Sequence, residues 1–204
     1  MTIHLHQRDL PEGLDLGPVV AIDTETMGLV PGRDRLCLVQ LSSGDGTAHL
    51  VQIAPGQTQA PNLCRMLADP GTLKLFHFAR FDIAALQAAF GVVTSPVFCT
   101  KIASRLVRTY TDRHGLKYLV QELLGIDLSK QQQSSDWGAP ELTEAQLSYA
   151  ASDVLYLHRL KAELDLRLAR EGRTGIAQAC CDFLPTRAAL DLAGWPEIDI
   201  FAHA

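Results

Sequence analysis

Two acids, Asp23 and Glu25, follow directly on the apolar run VVAI at residues 19–22. On a strand, positions i and i+2 face the same side, so both carboxylates would point into one space. Asp82, in FHFARFD, falls at the start of a segment with helical spacing, just after the apolar run LKLF. Tyr149 and Asp153, in YAASDVLYL, are four residues apart and so lie one turn apart on one helix face. Each feature alone has an ordinary structural account: a solvated turn, a helix-dipole partner, a buried tyrosine beside an exposed acid. Gathered together, four carboxylates repel one another and must either take up protons or bind divalent cations. An oxygen-only donor set selects hard ions, Mg²⁺ or Mn²⁺, over zinc. None of the seven histidines stands at zinc-like spacing, and His4 and His6 alternate on a strand as surface residues would.

The elements that must position these groups can be read from punctuation. Residues 3–6, 18–23, 36–42 and 48–53 read as short strands separated by PEG, PGRD and SGDG. They are expected to form an antiparallel set. LKLF at 73–76 reads as a buried strand, followed by a helix in RFDIAALQAAF that stops at Gly91. From residue 100 onward helices are expected in TKIASRLV, in LKYLVQELL up to Gly125, in one long segment from about 143 to 168, and in a last segment from about 174 to 192. Thr143 with Gln146 forms a capping-box pattern at the start of the long one. The polar stretch 127–141 is long for a connection, as functional loops often are. Strands first, alternation next and helices last predict an α/β domain: one mixed sheet flanked by helices, over residues 1–204.

The 204 residues carry a net charge of −5, which argues against a broad basic face for long nucleic acid but not against a short or metal-held anion. No segment reaches the ~18 consecutive apolar residues of a membrane span, and the N-terminus lacks the marks of a secretory signal, so a cytoplasmic location is expected. Five cysteines without CxxC spacing read as reduced thiols, mostly in the core. The densest basic run, RTYTDRHGLK, offers Arg108, Arg113 and His114, with Lys117, to a terminal phosphate; its alternative is a solvated helix junction or a subunit contact. In KQQQSSDW, Lys130 and Trp137 are expected to border the site, with Gln133 and Ser135 as polar contacts. The apolar tail GWPEIDIF suits an oligomer larger than a dimer, or packing on its own subunit.

The ordered set DTE, His77 ahead of FD, the loop QQSSDW and a late Tyr-x-x-x-Asp resembles the DEDD 3′→5′ exonucleases of the tyrosine-bearing subgroup, in the ribonuclease D lineage. The likeness is strongest to its short members, which degrade dinucleotides and lack the C-terminal helical nucleic-acid-binding domains of full-length ribonuclease D. That resemblance implies a ribonuclease H-like fold, a ring-shaped octamer, and hydrolysis of diribonucleotides such as pGpG to nucleoside 5′-monophosphates. It also implies two divalent ions, with Asp23 bridging both, Glu25 and Asp153 holding the first, and Asp82 supporting the second through water. Tyr149 would orient the attacking water. Leu29 matches a position from which relatives push an apolar wedge between two bases, against a core-packing alternative, and His77 would contact ribose or phosphate, against the alternative of a satisfied buried histidine. Phe78 departs from the Asn or Ala of many relatives. An enzyme trimming longer RNA or DNA 3′ ends and a non-catalytic binding relative are the competing readings; loss of an acid or of Tyr149 would signal the latter, and all five residues are present.

Overall fold

β2 (Val19–Thr26) starts on β-branched residues and carries the first two acids toward its far end. Its neighbour β3 (Leu36–Ser42) is buried along its whole length, and β4 (Thr47–Gln52) follows β3 through the SGDG turn. These three strands pair antiparallel, and the β2–β3 register shifts between Glu25 and Thr26. Such an irregularity bends a strand and re-aims its side chains, here at the acids. β5 (Leu73–Phe76) and β6 (Val97–Cys99) extend the sheet in parallel beyond β2. β1 (Thr2–Gln7) corrects the expectation of an all-antiparallel first set: it lies parallel to β4 at the opposite edge. The order is β1-β4-β3-β2-β5-β6, a mixed sheet. The computed structural model describes residues 1–129, 131, 132 and 134–203.

Eight helices among these residues cover both faces: α1 (Pro61–Ala68), α2 (Ala79–Phe90), α3 (Thr100–Val107), α4 (Leu116–Leu124), α5 (Glu144–Leu155), α6 (Leu157–Arg170), α7 (Thr174–Asp182) and α8 (Leu184–Leu192). One core, with Ile22, Val39, Phe76, Ile83 and Ala188, lies under α1, α2 and α8. The other, with Ala21, Leu38, Leu50, Val107, Val154 and Leu160, lies under α3 to α6. Strand alternation therefore sends Asp23 and Glu25 toward the face that α5 covers, and Thr24 toward α2. Gly91 and Gly125 end α2 and α4 at φ 69°, a left-handed cap that a side chain would strain.

Two expected helices are each two. The 143–168 segment breaks at Tyr156, and the 174–192 segment breaks at Phe183. The second has Pro185 behind it, which has no N–H to continue the α7 ladder and opens α8 instead; the first has neither proline nor glycine behind it, and its cause is long-range packing, which overrides local propensity. α5 packs across β2, β3 and β4, whereas α6 turns away to pack on α3, α4 and β5. After the bend His158 packs back against β2, its Nε2–H donating to the Val19 carbonyl oxygen at 3.0 Å. The predicted capping box does form, with Thr143 and Gln146 satisfying each other's backbone N–H groups. All five cysteines are free thiols, with Cys37, Cys99 and Cys181 buried and Cys180 exposed. No helix of the described residues is long and apolar enough to cross a membrane.

Candidate active site

Asp23 and Glu25 at the end of β2 meet Asp153 from α5 so closely that one carboxylate oxygen from each lies within 4.8 Å of the others. Tyr149, one turn before Asp153, joins them on the wall of a pocket of about 300 Å³. His77, Lys101, Gly115, Leu116, Lys117, Leu128 and Ser129 complete its lining. Asp82 approaches from the α2 side, with only 3% of its surface exposed, and accepts a 2.7 Å hydrogen bond from the Thr24 hydroxyl. It stands behind the other three rather than among them, yet close enough that Asp23 acts on it electrostatically.

Part of Asp23, Glu25 and Asp153 still touches solvent, but the protein around them is dense and desolvates them. Burial pushes Asp23 up to about 7. Burial followed by repulsion from Asp23, Asp153 and Asp82 pushes Glu25 up to about 10. Asp82 and Asp153 rise well above the usual carboxylate range for the same two reasons. None of the ion pairs among the described residues involves any of the four. Buried oxygen donors without a protein cation are the set that a hard divalent ion fits.

This has a measurable consequence for the chelator-treated protein. A carboxyl whose folded pKa is raised holds its proton longer in the folded state, so folding is favoured at low pH and stability is lost as pH rises. For Asp23 the window runs from about 4 to about 7, and Glu25 extends it upward toward 10. Asp23 alone puts at most about 4 kcal/mol at stake. The thermal midpoint is expected to fall by roughly 5–10 °C between pH 5 and pH 8. Mg²⁺ should restore it at pH 8 and do little at pH 5; an Mg²⁺-insensitive midpoint at pH 8 would mean that these acids do not hold a cation.

The remaining expected residues separate into those that reach the pocket and those that do not. His77 lines it, its Nδ1 2.9 Å from the Thr100 hydroxyl. Burial, helped by Lys101, lowers its pKa to about 3, so the ring is neutral. The corner between β5 and α2 turns at Phe78, whose left-handed φ of 77° costs about 1–2 kcal/mol and separates His77 from the helix carrying Asp82. The exposed Phe78 ring seats the Lys101 ammonium 4.1 Å from its centroid. Trp137 is buried rather than bordering the pocket, and its ring packs 6.1 Å from that of Tyr149, centroid to centroid. Leu29 is not core: 83% of it is exposed, in the loop after β2. Ser135 donates to the Gln132 side chain and lies outside the lining, while Lys130 and Gln133 fall outside the described residues.

Arg108 is a correction. Its guanidinium is fully buried, bonds both carboxylate oxygens of Glu122, and donates to the Ser104 hydroxyl and the Arg113 carbonyl. No donor is turned to the pocket, because the dense basic run folds back on itself at the α3–α4 junction. Arg113 lies exposed over the Tyr118 ring and His114 bonds Ser104, so neither lines the pocket; of this run, Lys117 does. Lys101 also lines it and was missed, because a single lysine at the start of an amphipathic helix carries no signal. Arg108→Ala is expected to cost about 2–3 kcal/mol by denaturant unfolding, since buried donors and packing are lost while Glu122 can rehydrate. The KM for a dinucleotide should stay within about twofold; a large rise in KM at unchanged stability would return Arg108 to the substrate.

Residues 7–169 match the model of the 3′-5′ exonuclease family. The chain belongs to that family. Within it, the chain is similar to ribonuclease D: it is 38% identical to ribonuclease D of Granulibacter bethesdensis over 76% of this chain and 39% of that protein. With ribonuclease D of Gluconacetobacter diazotrophicus it shares 40% over 79% and 41%. The chain thus spans about two fifths of the length of these relatives. Over the whole of both chains it superposes on Brucella melitensis NrnC with bound Mg²⁺ at a TM-score of 0.96 and 61% identity. The same protein bound to pGG gives 0.97 and 62%. Escherichia coli RNase D, an exoribonuclease, gives 0.74 and 30% over 84% of this chain and 45% of that one. The family depends on divalent metal, in keeping with the oxygen cluster.

Proposed function

We propose that the protein is a 3′→5′ exoribonuclease that hydrolyses 5′-phosphorylated dinucleotides such as pGpG to nucleoside 5′-monophosphates with two divalent ions. The observation that carries this reading is the convergence of Asp23, Glu25 and Asp153 beside Tyr149 in one small pocket. Likeness over full length to a nuclease seen with pGG supports the short substrate. So does the acidic net charge, since a dinucleotide presents few phosphates to neutralise.

Asp23, Glu25 and Asp153 would hold the ions, with Asp82 behind them. When bound, such ions activate water and stabilise the leaving 3′-oxygen. The chain's own residues do the rest. Tyr149 keeps its proton on Oη, because burial and then the charges of Asp153, Glu25 and Asp23 raise its pKa. A neutral phenol there can hold the attacking water in line with the phosphorus, and the Trp137 ring limits its motion. Lys101 and Lys117 place positive charge where phosphate oxygens enter, the task first assigned to Arg108. Neutral His77 suits a ribose hydroxyl better than an ionic phosphate contact. Leu29 stands free to press between bases. A cytoplasmic homo-octamer fits the tail, where Trp195, Ile198, Ile200 and Phe201 remain exposed although Arg80 and Arg187 hold the backbone at Pro196 and Trp195.

The test is a substrate-length series with added Mg²⁺. Turnover of a 5′-phosphorylated dimer is expected to exceed that of a seven-nucleotide RNA by about 10²-fold, in keeping with the cost of leaving site groups unpaired. Equal rates would reject the dinucleotide claim and favour trimming of longer ends.

A further inference from the structure

Gln40, in the middle of β3, is fully buried, and neither its amide nitrogen nor its amide oxygen has a hydrogen-bond partner among the described residues. A buried amide in that state is costly, and a side chain of equal length without the amide would be neutral or stabilising there. Its place in the sheet suggests what offsets the cost. Gln40 is the cross-strand partner of Asp23, and partners directly opposite in an antiparallel pair project from the same face with Cβ atoms about 4.5–5.5 Å apart. On its other side the partner is Leu50, which is buried and has no polar group to offer. α5, which carries Tyr149 and Asp153, packs over β3 and closes this layer from above. The polar neighbour that the strand register offers to the Gln40 amide is therefore the Asp23 carboxylate.

We propose that Gln40 is a positioning residue for Asp23: its carboxamide donates, through one buried water, to the Asp23 carboxylate and fixes the orientation in which that carboxylate receives a divalent cation. This rests on the metal-binding part of the function proposed above. A carboxylate free to rotate in its plane presents its lone pairs poorly to an ion that demands near-ideal geometry, as Mg²⁺ does. Outer partners that orient ligands are typically worth 10–100-fold in metal affinity or activity. Of the four other unpartnered buried atoms among the described residues, His77 Nε2 and Trp137 Nε1 belong to side chains that line the pocket or back Tyr149, whereas Thr94 Oγ1 and His158 Nδ1 do not line it.

Gln40→Met in the full chain removes the amide and keeps the length. Its metal-free thermal midpoint is expected to equal or exceed that of the unsubstituted protein, while Mg²⁺ affinity by calorimetry falls about tenfold. Gln40→Glu has the same length without the N–H donors, and it should weaken Mg²⁺ binding too, although it adds an acid. Mg²⁺ affinity within twofold of the unsubstituted protein in either folded variant overturns the proposal. Failure of both variants to fold assigns Gln40 to the core and overturns it equally. A protein that binds Mg²⁺ but cleaves no dinucleotide would refute the proposed function and leave the Gln40 result standing.

Discussion

Asp23→Asn is expected to lower kcat on a dinucleotide by at least about 10³-fold, some 4 kcal/mol of transition-state stabilisation. Asp23 is placed to act on every other acid: it raises the pKa of Glu25, Asp82, Asp153 and Tyr149 alike. It therefore holds the central position in the charge cluster. An amide there keeps the shape and hydrogen-bonding capacity of the side chain but removes the charge that a cation answers. Stability should move the other way. Without metal, Asp23 at pH 8 is an ionised group in a dense and negative surrounding, and the neutral amide relieves both penalties. The metal-free variant is accordingly expected to unfold about 1–3 kcal/mol later than the unsubstituted protein at pH 8, and by no more than a few tenths at pH 5. Loss of activity with gain of stability separates a site residue from a structural one. Activity above a tenth of the unsubstituted level would show that the cluster does not carry the chemistry.

How far the sequence foretold this arrangement depends on the range of the forces involved. VVAI, LCLVQLS and LKLF are strands because local composition and bounding turns agree, and strand alternation alone aims Asp23 and Glu25 the same way. Tyr149 and Asp153 share a face because a helix repeats every 3.6 residues, which is equally local. The break at Tyr156 is not local. ASDVLYLHRL reads as one helix, and the bend forms because α5 must cross β2–β4 while α6 packs on α3 and α4. β6 is only three residues long, too short for alternation to show, and α1 carries its Pro61 start signal among other turn residues.

The same limit applies to charges. RTYTDRHGLK is dense in cations, but density does not say which guanidinium is turned inward; Glu122, fourteen residues on, captures Arg108, and Lys101, from the start of the preceding helix, reaches the pocket instead. Gln40 carried no chemical signal in the sequence, because its interest lies in what does not bond to it. Asp82 shows a middle case: its place at a helix start was legible, but its separation from the other three acids by Thr24 follows from which sheet face α2 covers.

Tyr149→Phe is expected to lower kcat by about 10²–10³-fold while leaving KM and Mg²⁺ affinity within about twofold. The ring stays, so its packing against Trp137 stays, and the fold should lose at most about 1 kcal/mol. What goes is the hydroxyl at the rim of the acid cluster. Because burial and three nearby acids raise the Tyr149 pKa, that hydroxyl keeps its proton through the working range and acts as a hydrogen-bonding guide for water rather than as a base. Two readouts follow. The pH profile of the unsubstituted enzyme should show no alkaline limb from Tyr149 ionisation up to pH 10, and the Phe variant should keep the shape of that profile at reduced height. A variant whose profile changes shape would make the phenol a proton carrier, and one with unchanged kcat would make it a bystander. Only a loss in kcat alone, with shape and metal affinity preserved, agrees with a hydroxyl that positions the attacking water.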